Sequence, residues 1–175
     1  MSRHKNQEGF SYIDVLIAIT ILMVGVLALV AAVTASVINS RAGEQQLLAK
    51  QHAASTLEAI FSARDIGNLG WEAIGNEGSG AGVFWTGRQR IMPDDGNDNV
   101  PATDDDAGTA IPGFDRQITI TDICDPERPS ANCSPAGTYP VMMRKVDIII
   151  WYQVNGGWRD EKTSTIITNS LLDNN

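Results

Sequence analysis

Histidine and cysteine are scarce in this 175-residue chain, with two of each. His4 and His52 stand far apart and neither has a cysteine beside it, so no zinc cluster is spelled out. No glycine-rich phosphate loop opens a helix, no G-x-S-x-G motif occurs, and neither histidine has a nucleophile next to it. These absences read as a chain that is not an enzyme. Basic residues are also the minority, 13 against 21 acidic, for a net charge of −8 and a pI near 4.6. A surface of that sign repels nucleic acid and anionic lipid headgroups, so no nucleic-acid partner is expected.

Formal charge is missing altogether from residues 15–38, a run of 24 positions. That is long enough to cross a bilayer at roughly 20 apolar residues per span. A short leader, MSRHKNQEG, precedes it, with Arg3 and Lys5 on the side that the positive-inside rule keeps cytoplasmic. A secretory signal would have a shorter apolar core followed by an A-x-A-like site, and LALVAAVTAS contains no strict A-x-A. One carboxylate, Asp14, sits at the head of the apolar run. An acid there is costly and marks a functional contact. It also lies near a helix N-terminus, where negative charge is favoured.

The order Gly9, Phe10, three residues, Asp14, then VLIAI resembles the class III signal of the type IV prepilin superfamily, with Asp where the family has Glu. The resemblance implies cleavage after Gly9 by a prepilin peptidase and N-methylation of Phe10. It further implies that Asp14 neutralises the new α-amino group when apolar helices pack together, since a lone buried charge is strongly unfavourable. Loss of the leader, which carries a net +1, takes the mature chain to −9.

Good helix formers continue past the apolar run, and a single helix over about residues 12–64 would be roughly 80 Å long. Residues 10–38 form its membrane and polymerisation half, residues 39–64 an amphipathic half. Leu47, Ala54, Leu57 and Phe61 repeat at helical spacing, widened by Leu48 and Ile60, and predict the buried stripe. Gly25 and Gly43 are its flexible points. Residues 65–113, rich in Gly, Asn and Asp, read as a long irregular loop with Trp71, Phe84 and Trp85 as anchors. Alternating residues predict strands over 114–123, 143–154 and 158–170, the last two joined by a turn at Asn155-Gly156-Gly157. The expected fold class is α+β and type IV pilin-like: a long N-terminal helix whose second half packs on an antiparallel sheet formed by residues 114–175.

Cys124 and Cys133 lie nine positions apart, on the side of the span where disulfides persist, and a bridge would contribute about 2–3 kcal/mol. The segment PDDGNDNVPATDDD gathers Asp94, Asp95, Asp98, Asp104, Asp105 and Asp106. Carboxylates and amide oxygens on a glycine-bearing loop suit calcium. The spacing is not that of an EF-hand, and a solvated acidic loop is the other reading. No other cofactor is indicated.

The order of helix, loop and aromatic hairpin is similar to that of PilV-type minor pilins, on LEAIFSAR at 57–64 and the segment 146–158. That likeness implies a minor pilin serving pilus assembly, adhesion or motility. Its partners would be the peptidase, the inner membrane and the helices of other pilins. The head would be periplasmic before assembly and extracellular after it. A minor pseudopilin of a type II secretion system would share the N-terminus, and a membrane-anchored periplasmic binding domain that never polymerises is a reading from another class.

Overall fold

The computed structural model describes residues 11–67 and 69–169. The predicted cleavage and methylation point, Gly9 and Phe10, lies outside them. The chain forms two compact units, Met1–Ala42 and Gly43–Asn175. One helix, α1 (Tyr12–Ile66), contributes to both, and no proline interrupts its 55 residues.

In the first unit every side chain of α1 from Tyr12 to Ser40 is exposed, Leu22 at 67% and Leu29 at 66% among them. By length and composition this helix is able to cross a membrane. Its two threonine hydroxyls are satisfied internally: Thr20 donates to the carbonyl of Ile17 at 2.8 Å and Thr34 to that of Val30 at 2.8 Å. An apolar medium requires such internal pairing, because it supplies no partner of its own.

The second unit holds the rest of α1 and four antiparallel strands in the order β1 (Gln89–Arg90), β2 (Phe114–Asp122), β3 (Met143–Val154) and β4 (Gly157–Thr168). The expected α+β layout is present. The β3–β4 hairpin closes through a two-residue turn, because Val154 pairs with Gly157. Asn155 and Gly156 both take positive φ, 52° and 79°, the conformation that Asn-Gly adopts most readily in a tight hairpin. Gly157 is therefore the first residue of β4 rather than the end of the turn.

The buried stripe of α1 differs from the expected one. Ala49, Ala53, Thr56, Ile60 and Ala63 are buried, while Leu47 is 58% exposed and Ala54 is exposed. Ile60, expected at the margin of the stripe, lies in its centre, so the stripe is rotated from the expected phase. The inner sheet face is already crowded by Phe114, Ile118, Val146, Ile148, Ile150 and Tyr152, all buried, and a helix covering it presents small side chains. Leu57 and Phe61 sit half-buried at the flank.

The 65–113 segment is also more ordered in its packing than its composition suggests. It holds a 3-10 turn at Trp71–Ala73, contributes β1, and buries Trp71, Ile74, Phe84, Ile91, Val100 and Ala102. Asn76 performs the work of a missing strand beyond β1. Its Nδ2 donates to the Ile118 carbonyl at 2.9 Å, and its Oδ1 accepts the Ile120 amide at 2.7 Å. Part of the open edge of β2 is thereby blocked against pairing with other chains.

Candidate functional site

Asp14 occupies the third position of α1, and Ser11 immediately precedes the helix. The Asp14 carboxylate accepts the Ser11 backbone N–H at 3.3 Å. This is one half of a capping box, in which an acid in the first turn reaches back to an otherwise unpaired amide. Asp14 is exposed, and the Ser11 amide is its one hydrogen-bond partner among the described residues. From there to Ile38 the helix carries no other formal charge.

Of the remaining predicted positions, Cys124 and Cys133 are disulfide-bonded. The loop they close is pinned inside by the amide of Cys133, which donates to the Ser130 carbonyl at 3.1 Å, and to the end of β2 by Asn132, which donates to Asp122 at 3.3 Å.

The acidic loop uses its carboxylates on its own chain. Asp105 accepts the amide of Asn97 at 2.7 Å, the amide of Asp98 at 3.3 Å and the Thr103 hydroxyl at 2.7 Å. Those hydrogen bonds, the Thr103 hydroxyl first, hold its pKa below the ordinary carboxylate value. Asp94 accepts the amide of Gly96, Asp98 that of Val100, and Asp106 that of Ala102; Asp104 accepts the indole N–H of Trp85. Among the described residues no group of three or more His, Cys, Asp or Glu side chains is arranged to hold a metal ion. The sequence supplies enough oxygens for calcium, but in the fold most of them already have donors of their own.

Sequence reasoning missed a buried polar cluster between this loop, α1 and β2. Arg116 is 5% exposed, donates from Nη1 to the Thr56 hydroxyl at 3.3 Å, and faces Asp106 at 3.5 Å, whose carboxylate is fully covered. Its Nε is buried without a partner among the described residues. His52 packs on Phe114, ring centres 5.3 Å apart. Burial, then the neighbouring Arg116, pushes the His52 pKa below its usual 6.5, with Asp95 opposing. Burial raises the pKa of Asp95 and of Asp106. Arginine in an alternating strand such as FDRQITI gives no sign that it faces inward; only the phase set by Phe114 and Ile118 does.

A pH dependence follows from these directions. The unfolded chain binds a proton at His52 more readily than the folded one, so stability falls as pH drops through 6.5 towards the folded value. Asp95 and Asp106 act in the opposite sense, and their contribution falls as pH rises from 3.8 through their folded values. His52→Gln is expected to flatten the decline in thermal midpoint between about pH 7.5 and 5.5, while leaving the behaviour at lower pH intact. Near-ultraviolet circular dichroism of the full chain in detergent checks this.

Comparison of the chain with protein-family models, curated proteins and solved structures finds no match.

Proposed function

We propose that the chain is a minor pilin of a type IV pilus, cut after Gly9, methylated at Phe10, and built into or priming a filament through packing of its apolar helix. The observation that carries this reading is an apolar helical surface, exposed from Tyr12 to Ser40 and headed by one exposed carboxylate. A plain anchor can start its helix without a carboxylate, so the acid at this position asks for a further role. In a filament the carboxylate meets the α-amino group that processing creates, and each charge answers the burial of the other. The exposed apolar face serves twice, in the inner membrane before assembly and against neighbouring pilin helices afterwards. Gly25, within the span and with no atom within 4 Å of where a Cβ would stand, offers a place for a neighbouring helix to come close.

The same N-terminal features support a minor pseudopilin of a type II secretion system as the second reading. The test against a non-polymerising membrane-anchored domain is fractionation. Filaments sheared from cells and probed with antibody to the head are expected to contain the chain in step with the major pilin, and to lose it when the prepilin peptidase is absent. Recovery only in the membrane fraction contradicts assembly.

A further inference from the structure

The outer sheet face, opposite the helix-covered one, gathers an unusual set of side chains for so acidic a protein. Strand pairing sets Arg90 opposite Asp115 and Asp115 opposite Trp151, while Trp158 on β4 lies diagonal to Trp151. Arg88 binds the cluster together. Its Nε meets Asp115 at 2.6 Å, and its guanidinium lies 4.1 Å from the ring centre of Trp158 and 4.9 Å from that of Trp151. Both indoles are thus held in place by a cation shared between them. Trp158 nevertheless keeps 47% of its surface exposed. Two clefts, of about 520 and 350 Å³, open on either side and share Arg90 and Asp115; the smaller one reaches Trp158, the larger one Trp85. Arg90 is exposed and makes no ion pair among the described residues.

We propose that this face binds an acidic saccharide, a short chain of sugar rings bearing carboxylates. An immobilised, half-exposed indole offers a flat surface to the C–H face of a pyranose, with little side-chain freedom left to lose on binding. Arg90 offers a planar pair of donors to a carboxylate, and it alone at the rim has no acidic partner to give up. Gln89 and Asp115 stand beside it to hydrogen-bond hydroxyls. With Arg88 tied to Asp115, Arg90 is the one uncompensated cation of the patch among the described residues. On a chain of net charge −8 it selects a ligand that places its negative charge locally. A long polyphosphate backbone such as nucleic acid extends beyond the patch into repulsive surface, and is disfavoured on that ground.

The test uses the full chain in a neutral detergent and fluorescently labelled trigalacturonate, read by anisotropy at low salt. Saturable binding is expected, at least about tenfold stronger than that of the neutral galactose trisaccharide, consistent with loss of one charge-assisted contact. Arg90→Gln is expected to weaken it by about the same factor. Trp158→Ala is expected to abolish it with the far-ultraviolet dichroism unchanged. Arg128→Gln removes one positive charge from the exposed disulfide loop and is expected to bind as the parent does. Equal binding of the neutral sugar, an equal loss in Arg128→Gln, tighter binding of oligothymidylate, or no saturation at all would each overturn the proposal.

Discussion

Replacing Arg144 with alanine is expected to destabilise the head, residues 43–175, by about 3–5 kcal/mol, the largest loss of any single substitution considered. Arg144 is 6% exposed and holds three segments at once. Its Nη1 donates to the carbonyls of Trp71 and of Ile74, the latter at 2.7 Å. Its Nε donates to Asp122 at 3.0 Å, and its guanidinium stacks 4.8 Å from the ring centre of Trp71. Trp71 in turn donates its indole N–H to the Val141 carbonyl at 2.7 Å. Without the arginine, the Ile74 carbonyl loses its donor and the Trp71 carbonyl keeps only the Ile74 amide at 3.2 Å, in a space that water enters poorly. The aromatic also loses its cationic cover. Lysine restores charge but not the fork that reaches both carbonyls and Asp122, so Arg144→Lys is expected to recover only a minor part. Urea unfolding of the full chain in detergent, followed by tryptophan fluorescence, gives the midpoints. A loss below about 1 kcal/mol would show that the loop is held by its apolar anchors alone.

Asp14→Ala acts elsewhere and on another property. The variant is expected to insert and to be processed, since it only makes the span more apolar. Its amount in sheared filaments is expected to fall by at least about tenfold, because loss of one member of a buried ion pair leaves the other uncompensated. Asp14→Glu is expected to assemble at least as well as the parent. Asp14→Asn distinguishes the two roles of the side chain: its amide oxygen can still accept the Ser11 N–H, but it carries no charge. If capping alone matters, Asn assembles normally; if charge matters, it fails as Ala does.

The strands could be read from alternation because one face is buried and the other is not. Residues 143–154 alternate strictly in burial, following the alternation of Val146, Ile148, Ile150 and Tyr152. The Asn-Gly hairpin was legible for the same local reason. The phase of α1 was not, since covering a face crowded with isoleucine and valine calls for alanine, and that demand comes from the sheet rather than from the helix. The anchoring of residues 65–113 rests on single long-range contacts, Asn76 to β2 and Arg144 to the Trp71 turn, which leave no periodic trace. Six carboxylates in thirteen positions suit a cation by composition, and the fold adds what composition does not spell out: Gly96, Asn97, Val100 and Ala102 turn their amides onto them. Asp14 stands out in the sequence because no formal charge follows it until Arg41.

The most direct measurement of the proposed role is mass spectrometry of the chain isolated from cells that carry an active prepilin peptidase. A mature protein beginning at Phe10, one methyl group heavier than its sequence and lost on Gly9→Val, is the expected result. A chain that still begins at Met1 in those cells, or one cut beyond the apolar helix, contradicts it.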